Sequence, residues 1–219
     1  YWSLAFLAQV AELGVQHVVV SPGSRSQALA LSAYALSVHS NPPFQLHVII
    51  DERSAGFFAL GLAVETEHPT VMICTSGSAP AHYLPALIEA KHSGLPLIAV
   101  TADRPPELRG VGANQTTAQT HMFGSAVNNS YDVHPPSGEE GDTRQARELA
   151  TQVTLEVSEG SAGGRPGPVH LNVAFREPLS STIRPEYVER ARSEARSSEG
   201  SQSGIPAAGK PRVVTLESD

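Results

Sequence analysis

Leu46-His47-Val48-Ile49-Ile50-Asp51-Glu52-Arg53-Ser54-Ala55-Gly56 is the stretch from which the fold of this chain is read. The run from Leu46 to Ile50 has the composition of a short strand, and it stops at two carboxylates. A helix of small residues opens directly behind them. In parallel α/β sheets the carboxyl ends of the strands are where ligands bind. Asp51 reads as an acid at a helix N-terminus, where the macrodipole favours it. Glu52 reads differently. Flanked by residues too small to solvate it, it is expected to be shielded from water, which would raise its pKa and make it a proton switch.

The same pattern recurs along the chain. His17-Val18-Val19-Val20, Thr70-Val71-Met72-Ile73-Cys74, Leu97-Ile98-Ala99-Val100 and Val169-His170-Leu171-Asn172-Val173 are continuous apolar runs, which predict strands buried on both faces. Helical stretches lie between them at Leu4 to Leu13, Gln27 to Leu36, Ala55 to Val64, Ala81 to Lys91 and Thr143 to Val157, with Gly14 and Gly94 as natural stops. Strand and helix alternate, so the prediction is an α/β fold: a doubly wound, mainly parallel sheet of about six strands. The segment from Arg104 to Phe123 fits neither period. Its length and lack of low complexity predict an ordered, functional loop.

Three further strand ends carry polar loops. Ser21-Pro22-Gly23-Ser24-Arg25-Ser26 feeds a helix N-terminus and offers free N–H groups to an anion. Arg25 there opposes the helix dipole unless something negative offsets it. Thr75-Ser76-Gly77-Ser78-Ala79 lets a ligand approach the backbone, although Ser78 as a plain helix cap would also explain it. Thr101-Ala102-Asp103-Arg104-Pro105-Pro106 places a second arginine at the mouth of the sheet, followed by the amides of Asn114 and Gln115. Either arginine alone could be a solvated surface group; the pair together points to an anion site. No Walker loop, dinucleotide fingerprint, nucleophile elbow or zinc motif is present.

The 219 residues, 40% hydrophobic and 17% charged, have the composition of a globular protein. A net charge of -7 argues against a nucleic-acid partner, and no apolar run is long enough to span a bilayer. A lone cysteine, Cys74, fits a reducing, cytoplasmic setting. Residues 1–178 read as one domain and residues 179–211, rich in Ser, Arg, Glu, Gly and Pro, as a linker. Residues 212–219 read as the start of a following domain, so the chain is expected to be a fragment of a longer protein.

Taken in order, the loops at 21–26, 51–53, 75–79, 101–108 and 112–115 resemble those of the MenD family. These are the 2-succinyl-5-enolpyruvyl-6-hydroxy-3-cyclohexene-1-carboxylate synthases of menaquinone biosynthesis, thiamine-diphosphate-dependent transferases. The likeness is to their N-terminal, pyrimidine-binding domain and covers roughly residues 1–178. Gly167 to Val173 is similar to a stretch shared more widely among thiamine-diphosphate enzymes. The resemblance implies that Glu52 is catalytic and holds a proton toward N1′ of the cofactor's aminopyrimidine. It implies cofactor contacts at Gly77 and Ser78. It implies binding of isochorismate, a dicarboxylate, by Ser24, Arg25, Arg104, Asn114 and Gln115. The second substrate would be 2-oxoglutarate, which loses carbon dioxide before its succinyl-semialdehyde unit adds to isochorismate.

Magnesium and the diphosphate would be held by a Gly-Asp-Gly segment that this sequence lacks, so no metal ligands and no turnover are expected of the chain alone. The family's active site forms between subunits, which implies a homodimer or homotetramer. Arg109 has no role that the resemblance supplies. Other thiamine-diphosphate carboligases or decarboxylases, and a non-catalytic regulatory domain of the same fold, are the alternatives.

Overall fold

Thr70–Cys74, Leu97–Asp103 and Val169–Ala174 bury every residue, as strands covered on both faces must. They form the centre of a six-stranded, all-parallel sheet in a computed structural model that describes residues 1–139, 141–160 and 164–197. The strands are β1 (His17–Val20), β2 (Gln45–Val48), β3 (Thr70–Cys74), β4 (Leu97–Asp103), β5 (Asn129–Val133) and β6 (Val169–Ala174). Their spatial order is β2-β1-β3-β4-β6-β5. The helices are α1 (Trp2–Glu12), α2 (Gln27–Ser37), α3 (Glu52–Thr66), α4 (Leu84–Ser93), α5 (Gly141–Glu159) and α6 (Pro185–Ser197). The doubly wound expectation is met.

Alternate residues of the central strands feed two cores. Val18, Val20, Val71, Ile73, Val100 and Leu171 pack against α1, α2, α5 and α6. Val19, Met72, Cys74, Leu97 and Ala99 pack against α3 and α4. The helices meet the sheet through small residues: Ala55, Ala59 and Ala63 in α3, Ala146 and Ala150 in α5. Gly94 ends α4 in the left-handed conformation that sequence assigns to a stop.

Three elements differ from the sequence reading. β2 is an edge strand, not one buried on both faces: Val48 is 61% and Ile50 76% exposed. β5 was not foreseen, because Asn129-Ser130-Tyr131-Asp132-Val133 is too polar to register as a strand, yet it pairs in parallel with β6. The 179–211 stretch is not all linker. It contains α6, whose Val188, Ala191 and Ala195 form an apolar stripe packed in the core beside α1. Alanine carries that stripe, so the composition hid it. Arg147 to Glu194 (2.7 Å) and Arg196 to Glu12 (3.3 Å) pin the same helix. The remainder of that stretch from residue 198, and residues 212–219, expected to open a following domain, lie outside the described residues.

Candidate functional site

β2, β1, β3 and β4 are neighbours, so the segments after them line one continuous edge of the sheet. Strands are added in opposite directions on the two sides of the β1–β3 boundary, the switch point where α/β sheets place ligands. Loop packing there is tight. A Cβ at Gly23 would lie 2.4 Å from Thr75 Cβ, so only glycine lets the β1 and β3 loops touch. Gly77 has φ +87°, and a Cβ there would lie 2.7 Å from Gln115 Cγ. The 104–123 segment thus lies directly against the β3 loop.

Both candidate arginines are buried, Arg25 at 7% and Arg104 at 8% exposure. Arg25 donates from Nη1 to the Phe175 carbonyl at 3.0 Å and stands 3.7 Å from the exposed Glu177 carboxylate. Its Nε is buried without a hydrogen-bond partner. Arg104 donates from Nη1 to Ser76 Oγ and to the Gln115 carbonyl, the latter at 2.8 Å. Burial lowers the Arg104 pKa, and the positive charge of Arg25 lowers it further. Two guanidinium groups close enough to repel, one with an orphaned N–H, are what an anion would relieve.

Gln115 completes that corner. Its backbone has φ +54°, uncommon for a residue with a side chain, and its Nε2 donates to the Ser76 carbonyl at 2.9 Å. Gly77 is buried, whereas Ser24, Ser78 and Asn114 stand exposed on the same loops. Ser78 does not cap the following 3₁₀ turn, Pro80–Tyr83, whose N-cap is Ala79 and which has no side-chain cap.

Glu52 is the first residue of α3. Asp51 caps that helix by accepting from Ser54 N at 2.8 Å, as the plain reading of Asp51 requires. Glu52 is half-buried, which corrects the expectation of a shielded carboxyl: its strand sits at the sheet's edge, where none of the described residues covers the outer side. On the inner side its charge reaches the core. Burial is the main cause that raises the Cys74 thiol and the Tyr83 hydroxyl pKa values, and the Glu52 carboxylate adds to both. Both groups are therefore neutral.

A polar cluster that sequence reasoning did not assign lies beneath the arginines. Asp103, fully buried, accepts from Arg104 N at 2.7 Å and from Asn172 Nδ2 at 2.9 Å, and forms an ion pair with Arg109 Nη2 at 3.0 Å. Arg109 forks on to Asp132 at 2.7 and 3.0 Å and donates to the Arg104 carbonyl at 2.9 Å. Arg109 thus clamps the 104–123 segment to β4 and β5. Glu107 and Arg176 fasten it a second time, at 2.6 and 3.1 Å. The available signals were slight: an Asn inside an apolar run, and a Gln, Gln119, inside an aperiodic one.

His170 anchors the same cluster. Thr101 Oγ1 donates to Asn172 Oδ1 at 3.0 Å, so it must accept from His170 Nε2, 2.8 Å away; Ser130 then donates to Nδ1 at 2.9 Å. Burial lowers the His170 pKa to about 3. The folded state therefore binds the proton more weakly than the unfolded state, whose pKa is about 6.5. This contribution to stability is complete above pH ~6.5 and is lost as the pH falls toward ~3. Between pH ~7 and ~5 it should amount to about 2 kcal/mol, read as a fall in the urea midpoint that His170→Gln reduces. A midpoint with the same pH dependence in both proteins would contradict the assignment.

Among the described residues no group of three or more His, Cys, Asp or Glu could hold a metal ion, and no helix is long and apolar enough to cross a membrane.

Residues 3–126 match the family model described as thiamine pyrophosphate enzyme, N-terminal TPP binding domain. Curated relatives named 2-succinyl-5-enolpyruvyl-6-hydroxy-3-cyclohexene-1-carboxylate synthase resemble it over much more. The one from Leifsonia xyli subsp. xyli is 46% identical over 100% of this chain and 37% of the relative. That from Haloarcula marismortui is 46% identical over 84% of this chain and 30% of the relative. That from Thermobifida fusca is 47% identical over 78% of this chain and 29% of the relative. The chain thus spans about a third of the length of these relatives. A family match over residues 3–126, on an all-parallel sheet with Glu52 and the glycine loops along one edge, places the chain in the thiamine pyrophosphate enzyme family, as an N-terminal cofactor-binding domain.

Proposed function

We propose that this chain is the pyrimidine-binding and acceptor-binding part of a synthase that joins decarboxylated 2-oxoglutarate to isochorismate in menaquinone biosynthesis. The observation that carries the reading is the pair of buried, mutually repelling guanidinium groups beside the Gly77 loop. A dicarboxylate acceptor calls for two such groups, and a simple keto acid does not. The curated relatives bear the name of that synthase.

The residues present suit one half of thiamine diphosphate. A half-buried carboxyl at a strand end and a glycine loop fit the aminopyrimidine, whereas no acidic cluster among the described residues fits a metal. Thiamine diphosphate supplies the carbon nucleophile of the reaction. Glu52 would hold a proton toward N1′ of its pyrimidine ring. Gly77, and Ser78 on the same loop, would let that ring approach the backbone. Arg25 and Arg104 would take the acceptor's carboxylates, with Ser24, Asn114 and Gln115 completing its site. The diphosphate and magnesium are assigned to protein outside this chain.

A second copy of the protein would supply the open side of Glu52. Val48, Ile50, Phe57, Phe58, Leu84 and Ile88 are exposed on β2 and the segment after it, on α3 and on α4, an apolar face that fits a homodimer or a larger assembly built from it. The setting proposed is cytoplasmic, with neither membrane nor nucleic-acid partner.

The test separates the two substrates. In the full-length protein, Arg25→Ala and Arg104→Ala should each raise KM for isochorismate by roughly 10- to 100-fold, the loss of a charge-assisted hydrogen bond. Decarboxylation of 2-oxoglutarate without acceptor should stay near the parental rate. Equal loss of both activities would move the arginines away from the acceptor and favour another carboligase.

A further inference from the structure

Gln119 is 1% exposed and uses every polar atom of its amide. Its Oε1 accepts from Gly77 N at 2.8 Å. Its Nε2 donates to the Ala102 carbonyl at 3.1 Å and to Asn172 Oδ1 at 2.9 Å. Asn172 in turn donates to Asp103 and Asp132, each at 2.9 Å, and Asp103 accepts from Arg104 N. One amide therefore spans from the β3 loop to the strand end that carries Arg104. Gly77 sits in the left-handed region at φ +87°, a conformation a glycine leaves easily once its N–H is released. Among the described residues nothing else holds that N–H.

We propose that Gln119 is a positioning residue that fixes the Gly77 peptide for the cofactor and sets its spacing from Arg104. This rests on the thiamine-diphosphate reading above and deepens it, because the residue reaches the cofactor only through Gly77. A buried amide suits the task. It accepts on one side and donates on the other, without a charge that the nearby Asp103 and Asp132 carboxylates would repel.

Two variants of the full-length protein test this, with magnesium and thiamine diphosphate titrated calorimetrically. Gln119→Met keeps the side chain's length and removes all its hydrogen bonds. Gln119→Glu keeps an oxygen for Gly77, but as a carboxylate it faces the Ala102 carbonyl and Asn172 Oδ1, both acceptors. Only when protonated can it donate to them and imitate glutamine. The Met variant should bind thiamine diphosphate about tenfold more weakly than the parent at every pH, the equivalent of a single neutral hydrogen bond. Burial near the Asp103 and Asp132 carboxylates should keep the Glu carboxyl protonated at pH ~5.5, so the Glu variant should bind nearly as the parent does there and roughly tenfold more weakly at pH ~8.5, where it ionises. Gly77 amide exchange should be faster in the Met variant alone at the lower pH.

A Met variant that fails to fold leaves the Glu variant's pH dependence as the deciding readout. Affinities in both variants that match the parent at both pH values would overturn the proposal. So would a Glu variant whose affinity relative to the parent does not change with pH, since a purely structural role predicts that. A parent protein that itself fails to bind thiamine diphosphate would sink the functional reading instead.

Discussion

Glu52→Gln in the full-length protein is expected to lower turnover by roughly 10²- to 10⁴-fold, the range of a lost proton-transfer group. The fold should persist. Glu52 is half-buried at the first turn of α3, and Asp51, not Glu52, supplies the helix cap. The amide can still donate to or accept from a ring nitrogen, but it cannot deliver and recover a proton. Two measurements are needed together: steady-state turnover, and the rate at which the cofactor's C2 hydrogen exchanges with deuterium. Both should fall by similar factors, while circular dichroism and cofactor affinity change little. Turnover within tenfold of the parent would remove Glu52 from the chemistry. Turnover lost with C2 exchange unchanged would place its role after the first proton transfer.

The second large effect concerns stability. Asp103→Ala is expected to destabilise the protein by about 3–5 kcal/mol, as removal of one partner from a buried ion pair does. The carboxylate accepts from two donors, Arg104 N and Asn172 Nδ2, and pairs with the Arg109 guanidinium at 3.0 Å. Alanine leaves an Arg109 charge with only Asp132 to answer it, and an amide with one of its hydrogens unmatched. Urea unfolding reads the loss directly. Asp103→Asn should be milder, since it keeps an acceptor oxygen and the same shape. A loss below ~1 kcal/mol for the alanine variant would mean that water enters and replaces the carboxylate, and the network would not be the cooperative unit described.

Much of this architecture could be read in the sequence, and the exceptions have physical causes. Strands β3, β4 and β6 are mostly apolar and buried throughout, so their burial was legible from composition. β5 was not, because its side chains serve the polar cluster: Ser130 bonds His170 and Asp132 bonds Arg109 and Asn172. Periodicity registers apolar burial and has no signal for a strand selected to carry hydrogen bonds. Helix α6 was missed for a related reason. Its buried stripe is mostly alanine set among Arg, Glu and Ser, which composition scores as linker.

The site divides along the same line. Arg25, Arg104 and Gly77 announce themselves through loops at strand ends, where local sequence is distinctive. Gln119 and Arg109 sit in a segment with no period, and their partners are 42, 53 and 23 residues away in the chain. No local pattern encodes contacts of that span. Glu52 was located by its strand end, but its half-open setting follows from the sheet order β2-β1-β3, which places its strand at the edge.

The arginines' anchorage on the Phe175 and Gln115 carbonyls has one more result. Each long side chain is already frozen before any guest arrives, so docking forfeits little rotamer freedom, an expense of about 0.5–1.5 kcal/mol for a mobile side chain. Folding has met that entropy in advance. Their seclusion also keeps dissolved ions from masking the attraction, as they would for arginines waving at the surface. As the acceptor site proposed above, the pair would be rigid and nearly indifferent to ionic strength, with its selectivity set by the spacing of two fixed forks.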